Sequence, residues 1–358
     1  MTAEALEVMG AGPYDYCAGG AGDEATVARN VAALDARVLT PRMLGGPPSP
    51  DPLATVVPGG RLAAPLLVAP MGLQRLCHPD AERATAWAAA ELGLGHCLSM
   101  FSSETPESVA EAAGPGVRWQ QIYLLRDPGV TASVVERAAA AGYGALVLTL
   151  DVPVVGRRTR DIGNRFDRFR VAPPALCADP RFAALLAARG DGASAERLIG
   201  ELFPDPGRTW DDVARVVAGT TLPVLVKGVL CAADVAPALD AGVRGVVVSN
   251  HGGRQFDRSV AAVDALAPVV EACEPAGVPV FFDSGIRRAS HIAVALALGA
   301  RAVLVGRPVL WALATGGPDG VRAGLTELTT DLTHLLGVLG APSAAALRGV
   351  PVTTWKET

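Results

Sequence analysis

The chain has 358 residues, of which 50% are hydrophobic and 19% are charged, with a net charge of -5. These values exclude a disordered chain and disfavour a nucleic-acid-binding protein, which needs a basic face. We predict no membrane association either, because the sequence has no basic tract, no apolar run of about 18 residues and no signal peptide.

Eight short apolar runs rich in β-branched residues predict eight strands, and Ala-rich helical segments separate most of them. Several of these segments end in glycine, as "ALDAGVRG" and "ALALGARA" do, which is typical of a helix C-terminus. In chain order the runs are "PLLVAP" (65–70), "GHCLSM" (95–100), "RWQQIYL" (118–124), "ALVLTLD" (145–151), "PVLVKG" (223–228), "GVVVSN" (245–250), "PVFFDSG" (279–285) and "AVLVGRP" (302–308).

Strands of this kind, alternating with helices, predict a parallel sheet that is covered on its outer face. Eight such units favour a closed (β/α)8 TIM barrel of the α/β class. A doubly wound dinucleotide fold is disfavoured, because "VAPMGLQRL" follows the first strand where G-x-G-x-x-G would be expected. We therefore predict a single domain over residues 1–358, with a short N-terminal cap at 1–60 and the barrel at 61–340.

The regular spacing breaks once, after the fourth strand. About 70 residues separate Asp151 from Pro223, whereas the other units repeat about every 25 residues. Long excursions that follow barrel strands are usually lids or substrate loops, so we predict a lid at 152–210. The alternative, a disordered linker between two domains, fits poorly with a barrel that needs both halves to close.

Polar residues stand at the predicted carboxyl ends of all eight strands, which is where barrel enzymes place their active sites. Burying such groups without partners costs on the order of 1–3 kcal/mol each, so a set this large predicts a polar ligand. The glycines and arginines of "DSGIRR" (283–288) and "VGRP" (305–308) indicate a phosphate group on that ligand.

Two residues have several possible roles on sequence alone. Lys227 could form a Schiff base, as in aldolases, or stabilise developing negative charge. His251 could pack in a turn, bind a metal or act as a general base, with Arg254 nearby to hold an anionic substrate. No second histidine or carboxylate stands at ligand spacing, so we predict no metal site. Of Arg157 and Arg158, one is expected to join Arg254 and the other to be a surface residue.

The six cysteines show no CxxC pair, which disfavours a disulfide framework or a zinc cluster. We predict buried or inert thiols in the reducing cytoplasm. The cysteines are Cys17, Cys77, Cys97, Cys177, Cys231 and Cys273.

Taken together, these segments resemble the FMN-dependent α-hydroxy-acid oxidase and dehydrogenase family, which includes glycolate oxidase, lactate oxidase and mandelate dehydrogenase. The resemblance extends from "YDYCAGGAGDE" to "VGRPVLWALATGG" and includes the family motif "SNHGGRQ" at 249–255. It also includes "LTLDVP", "LVKGV" and "GIRR" in the family's order. The pattern "APMGLQRLCHPD" is most similar to the hydroxymandelate-oxidase branch.

The resemblance implies a role for each matching position. His251 would be the base, paired with Asp151, and Lys227 would stabilise the reduced flavin. Arg158 and Arg254 would bind the substrate carboxylate, while Tyr16 and Tyr123 would hydrogen-bond substrate oxygens. The implied catalytic residues are thus His251, Asp151, Tyr123 and Lys227, and the implied substrate-binding residues are Tyr16, Tyr123, Arg158, His251 and Arg254. The implied FMN-binding residues are Pro70, Met71, Gly72, Ser99, Gln121, Thr149, Lys227, Ser249, Asp283, Gly285, Arg287, Gly306 and Arg307.

The implied activity is FMN-dependent oxidation of an (S)-2-hydroxy acid to the 2-keto acid. We expect an aryl substrate of the mandelate type, with Gly72 leaving room for its bulk. Because "FAALLAARG" in the excursion is too short and too charged for a membrane anchor, we expect an oxidase that uses O2 and forms H2O2. The alternatives are a family dehydrogenase with a quinone or protein acceptor and a non-redox phosphate-binding barrel. Family precedent implies a homotetramer or homo-octamer. The sequence does not determine which proton His251 removes or which side chain the substrate carries.

Overall fold

The computed structural model describes residues 2–190 and 192–355, so residues 1, 191 and 356–358 of the predicted domain lie outside the described part. Eight parallel strands close into a barrel in the order β10-β11-β4-β5-β6-β7-β8-β9, which confirms the predicted fold class. They are β4 (Leu66–Val68), β5 (Gly95–Leu98), β6 (Arg118–Ile122), β7 (Ala145–Thr149), β8 (Val224–Val229), β9 (Gly245–Val248), β10 (Val280–Phe282) and β11 (Ala302–Val305).

Each observed strand lies inside its predicted run or within one residue of it, and several predicted runs extend past the strand at the carboxyl end. Gln121, Thr149 and Lys227 lie within their strands, whereas the other predicted site residues at the strand ends belong to the loops that leave the barrel. The two glycines that follow Ala-rich helices, Gly242 and Gly299, have φ angles of 85° and 102°, as the helix-ending interpretation requires.

The barrel interior is filled by alternate strand residues. Leu67, Val147 and Phe281 point inward and are fully buried, and the Trp119 ring packs edge-on against Phe281 with centroids 5.0 Å apart. A small antiparallel hairpin, β2 (Thr55–Val57) and β3 (Gly60–Leu62), closes the amino-terminal end of the barrel. Trp119 Nε1 donates a 2.7 Å hydrogen bond to Pro58 O of this hairpin. With this end closed, the opposite end of the barrel is left for a ligand.

Helices cover the outer face of the sheet, where the alternate strand residues form a second, larger apolar core. The N-terminal helices are α1 (Thr2–Met9), α2 (Ala11–Ala18) and α3 (Ala25–Asp35), and β1 (Arg37–Leu39) pairs antiparallel with β12 (Val352–Thr354) near the other end of the chain. The remaining helices outside residues 152–210 are α4 (Ala81–Glu91), α5 (Pro106–Ala113), α6 (Pro128–Ala140), α11 (Trp210–Ala218), α12 (Val235–Asp240), α13 (Ala262–Cys273), α14 (Ala289–Ala297) and α15 (Arg307–Leu339).

The excursion after β7 contains short helices. They are α7 (Thr159–Asn164), α8 (Arg168–Val171), α9 (Pro180–Ala187) and α10 (Ala195–Leu202). Phe182 and Leu198 of this segment are fully buried, so the excursion packs against the rest of the protein. Among the described residues, no helix is both long and apolar enough to cross a membrane.

Candidate active site

A cavity of about 480 Å³ opens at the carboxyl ends of the barrel strands. Each of the eight strands contributes to its wall, through its last residues or through the loop that follows it, and the excursion and the N-terminal segment complete it. Asp151 and Ser249 are the two predicted site residues that do not line the cavity, and both lie directly behind its wall. The predicted residues on the wall are Tyr16, Pro70, Met71, Gly72, Ser99, Gln121, Tyr123, Thr149, Arg158, Lys227, His251, Arg254, Asp283, Gly285, Arg287, Gly306 and Arg307.

The turn that carries His251 has an unusual backbone. His251, Gly252 and Gly253 have φ angles of 57°, 64° and 77°, and a non-glycine residue in this left-handed region costs on the order of 1–2 kcal/mol. Side chains hold the turn in place: Ser249 Oγ accepts from His251 N at 3.0 Å, and Ser284 Oγ accepts from Gly252 N at 3.0 Å. A Cβ atom at Gly253 would lie 2.7 Å from the backbone of α3, which explains the second glycine.

His251 is paired with Asp151. Its Nδ1 lies 2.8 Å from Asp151 Oδ1, so Nε2 is the ring nitrogen left for a ligand. Burial lowers the pKa of His251, and although Asp151 opposes that effect, the net pKa remains below its usual value. Burial raises the pKa of Asp151, but the interactions with His251 and Lys227 outweigh it, so the net pKa lies below its usual value and the carboxylate is ionised. A neutral imidazole beside a carboxylate is suited to accept a proton near neutral pH.

Lys227 is buried among three polar partners. Its Nζ lies 2.7 Å from Ser249 Oγ, 3.1 Å from Asp283 Oδ2 and 3.9 Å from Asp151 Oδ2. Burial lowers the pKa of Lys227, but the two carboxylates more than compensate and raise it above its usual value. A Schiff base needs a neutral amine, so this environment disfavours the aldolase alternative.

Two arginines bring positive charge to the same region of the cavity. Arg254 Nη1 donates to Gly19 O at 2.7 Å, and its guanidinium lies 5.2 Å from the centre of the Tyr16 ring. Arg158 is almost buried, its Nε lacks a hydrogen-bond partner, and burial together with Arg254 lowers its pKa to about 10. Arg157 is exposed, so Arg158 is the member of the pair that faces the cavity. Two cations with unused donors fit an anionic ligand such as a carboxylate.

The wall formed by β5, β6 and β7 fits the polar edge of FMN. Gln121 Oε1 accepts from Ser99 Oγ at 3.3 Å and from Met100 N at 3.0 Å, which fixes the amide in the cavity wall. Thr149 Oγ1 is buried on the same wall and has no partner among the described residues. An unpartnered buried hydroxyl is costly, so it indicates a position for a polar ligand atom.

The wall formed by the loops after β10 and β11 fits a phosphate. Gly285 has a φ of 97°, and Gly306 precedes the N-terminus of α15, where backbone N–H groups and the helix dipole favour an anion. Burial lowers the pKa of Arg287, whose Nη1 donates to Ile286 O at 2.8 Å. The Arg307 guanidinium makes hydrogen bonds of 2.9–3.1 Å to the carbonyls of Cys17, Gly19 and Gly252. It therefore links the N-terminal segment to the His251 turn.

Two features of the cavity differ from or extend the sequence-based expectations. A Cβ atom at Gly72 would lie 2.8 Å from Phe101 O, so the glycine permits a close backbone approach and does not provide room for a substrate. An aromatic wall of Phe101, Tyr123 and Phe203, with ring centroids 4.4–5.6 Å apart, was not predicted. Phe203 lies at the end of the excursion, and no spacing pattern in the sequence relates it to the strand ends.

Comparisons with known proteins agree with this geometry. A family model described as FMN-dependent dehydrogenase matches residues 5–353. An L-lactate oxidase from Nostoc sp. is 43% identical over 336 residues, covering 91% of this chain and 89% of the relative. A 4-hydroxymandelate oxidase from Amycolatopsis orientalis is 40% identical over 348 residues, covering 96% and 94%.

Solved structures show the same similarity. A lactate oxidase from Pediococcus acidilactici superposes with a TM-score of 0.89 at 32% identity and covers 99% of this chain and 94% of that one. A mandelate oxidase variant solved with (S)-mandelic acid gives a TM-score of 0.85 at 38% identity, covering 98% and 96%. The chain therefore belongs to the FMN-dependent dehydrogenase family, with FMN as its cofactor, among the family's 2-hydroxy-acid oxidases.

Proposed function

We propose that this enzyme oxidises an (S)-2-hydroxy acid with an aryl side chain, of the mandelate type, to the 2-keto acid, and that O2 reoxidises the flavin with release of H2O2. The observation that carries the proposal is the neutral His251, held by Asp151 at 2.8 Å, in one cavity with Arg158 and Arg254. A base next to two carboxylate-binding cations suits a substrate whose acidic proton lies one carbon from a carboxylate.

Each side chain then has a defined task. Arg158 and Arg254 bind the substrate carboxylate, and this orientation of the reacting carbon is worth several kcal/mol of the barrier. His251 Nε2 removes a proton from the substrate, and Asp151 stabilises the resulting imidazolium. Tyr16 and Tyr123 hydrogen-bond the substrate oxygens. FMN, when bound, accepts the two electrons that the 2-hydroxy acid loses.

The cofactor would be held by the remaining cavity residues. Lys227 would place its positive charge where the reduced cofactor becomes negative. Gly285, Arg287 and the N-terminus of α15 at Gly306 would bind the phosphate. The other residues that the family resemblance implies would also bind FMN. Arg307 would do so through its backbone, because its guanidinium donates hydrogen bonds to three carbonyls.

The aryl preference is supported by the aromatic wall. Phe101, Tyr123 and Phe203 form a continuous apolar surface that suits a phenyl ring, and aromatic pairs contribute about 0.5–1.5 kcal/mol beyond the area they bury. The similarity to 4-hydroxymandelate oxidase and to the mandelate oxidase structure supports the same preference. The (S) configuration is supported by the L-lactate oxidase relative and the (S)-mandelic acid structure.

The domain organisation and the cellular setting are also proposals. We propose that residues 152–210 act as a lid, because this segment supplies Arg158 and Phe203 to the cavity, over a barrel at 61–340 with a cap at 1–60. A cytoplasmic location is supported by the unpaired cysteines. A homotetramer or homo-octamer is supported by the strongly exposed side chains of Met43 and Leu44, which a second copy of the chain would cover. Light scattering measures the oligomeric state.

The experiment is anaerobic reduction of the bound flavin by glycolate, lactate, long-chain 2-hydroxy acids and both enantiomers of mandelate. We expect (S)-mandelate to bleach the flavin absorbance with the highest ratio of reduction rate constant to Kd among these acids. Preference for lactate or glycolate would refute the aryl proposal. Mixing the reduced enzyme with air then tests the acceptor: slow reoxidation, with a fast reaction towards a quinone, would identify a dehydrogenase instead.

A further inference from the structure

Two cysteines that are distant in sequence meet beside the active-site cavity. Cys17 Sγ and Cys77 Sγ are 3.9 Å apart, although the two residues are separated by 60 positions in the sequence. Cys17 follows Tyr16 on α2 and lines the cavity, whereas Cys77 follows the short turn Gln74–Leu76, which continues from Met71 and Gly72 of the cavity wall. Both thiols are largely buried and free.

The two thiols differ in their electrostatic surroundings. The contact with the Cys77 thiol lowers the pKa of Cys17, and the cations of Arg254 and Arg307 lower it further against the effect of burial. The same contact and burial raise the pKa of Cys77. Thiolates are the reactive form of cysteine, so Cys17 is the member of the pair that an oxidant attacks first, and Cys77 is placed to react with the product.

We propose that Cys17 and Cys77 form a reversible disulfide when peroxide accumulates, and that this disulfide switches the enzyme off. The Cys17 thiolate attacks H2O2, which breaks the O–O bond, gives a sulfenic acid and releases hydroxide. The Cys77 thiol then attacks the sulfenic sulfur, and the S–S bond forms as hydroxide leaves and takes up the thiol proton. In total, two thiols and one H2O2 become one disulfide and two waters.

The proposal rests on the proposed function only for the source of the oxidant. An enzyme that reduces O2 releases H2O2 into the cavity that Cys17 lines, so the thiolate is exposed to the product before the bulk solvent is. Formation of the internal disulfide would then be feedback inhibition of the enzyme by its product H2O2. Peroxide supplied from outside tests the thiol chemistry whichever acceptor the enzyme uses.

The disulfide would disturb the substrate site. The sulfurs must approach from 3.9 Å to about 2.05 Å, which moves α2, the Met71–Gly72 loop or both. Cys17 O accepts from Arg307 Nε at 3.1 Å, and the adjacent Tyr16 ring lies against Arg254. Because misplacement of a site by about 1 Å can cost on the order of 100-fold, we expect kcat/KM to fall on the order of 10- to 100-fold.

The test treats the FMN-loaded enzyme with H2O2 and maps its disulfides by mass spectrometry of a non-reducing digest. We expect a Cys17–Cys77 linked peptide, a loss of two titratable thiols in denaturant, and recovery of activity with dithiothreitol. Cys77→Ser should retain activity after peroxide treatment, whereas the matched control Cys231→Ser, at an exposed cysteine, should be inactivated like the unmodified enzyme.

Three results would overturn the proposal: no linked peptide, a linked peptide with unchanged activity, or equal inactivation of Cys77→Ser. The mass map of the unmodified enzyme keeps the test valid if Cys77→Ser fails to fold. A further arm supplies substrate and air with or without catalase. If turnover releases no H2O2 there, the acceptor proposal fails, while the outcome with added peroxide still decides the disulfide.

Discussion

Asp151→Asn tests the electrostatic support of the proposed base. Asp151 is ionised and bonded to His251 Nδ1 at 2.8 Å, and it loses its charge but almost none of its volume in the variant. A hydrogen bond to a charged group contributes about 1.5–3 kcal/mol, and this contribution grows as His251 takes up the substrate proton. The rate of flavin reduction should therefore fall about 10- to 150-fold.

The pH profile of Asp151→Asn provides a second readout. Asp151 raises the pKa of His251, so its loss should lower that pKa further below its usual value. The acid limb of kcat/KM, where His251 becomes protonated, should then move to lower pH while the plateau falls. Anaerobic stopped-flow reduction between pH 5 and pH 8 measures both effects, after FMN content has been checked by absorbance.

A matched control lies elsewhere in the chain. Asp35 Oδ1 is 2.7 Å from His291 Nε2 and lies outside the cavity, so Asp35→Asn breaks a similar pair away from the proposed chemistry. We expect its flavin reduction rate to stay within about twofold of the unmodified rate. A flavin-loaded Asp151→Asn enzyme with an unchanged rate and an unchanged acid limb would refute the role assigned to Asp151.

Three further predictions concern stability and specificity. Gly285→Ala should lower the free energy of unfolding by about 1–3 kcal/mol and weaken FMN retention, because the residue has a φ of 97° and the new Cβ would lie 2.7 Å from Asn30 O. The control Gly316→Ala, whose Cβ would have no atom within 4 Å, should not destabilise the protein in thermal unfolding. Burial raises the pKa of Glu82 to about 7 from 4.5, so the stability that its protonated form contributes is fully present below pH 4.5 and is lost as pH rises to 7. Glu82→Gln should therefore remove about 3 kcal/mol of the pH dependence of the unfolding free energy, measured by urea titration. Parallel curves of unfolding free energy against pH for the two proteins would contradict this. Phe203→Ala should lower kcat/KM for (S)-mandelate up to about 10-fold with less than a twofold effect on lactate, and equal losses would argue against an aryl pocket.

The barrel could be predicted because its sequence features are local. Apolar runs, Ala-rich helices and helix-ending glycines repeat along the chain, and the polar residues at strand ends must converge once the barrel closes. The pairing of His251 with Asp151 followed from the family motif, and the distance of 2.8 Å agrees with it. Several predicted strands extend too far because they include polar residues such as Ser249 and Asp283, which lie in the loops that follow the strands.

Other features depend on packing between distant segments and have no local pattern. Cys17 and Cys77 looked unrelated because their contact arises only when α2 docks against the loop after β4. The sequence predicts space for a substrate at Gly72, but a Cβ atom there would lie 2.8 Å from Phe101 O. The Arg307 guanidinium was expected at the phosphate, yet it holds three carbonyls from two other segments. Such contacts follow from the tertiary structure and not from the composition of either segment.

The most direct test of the proposed chemistry is anaerobic flavin reduction in His251→Ala. The variant should retain FMN, because Lys227, Gln121 and the Gly285 loop are untouched, and its oxidised absorbance spectrum should be normal. With (S)-mandelate we expect the reduction rate to fall by several orders of magnitude, since no other described residue in the cavity is placed by Asp151 to take the proton. Reduction at the unmodified rate by His251→Ala would contradict the assignment of His251 as the base.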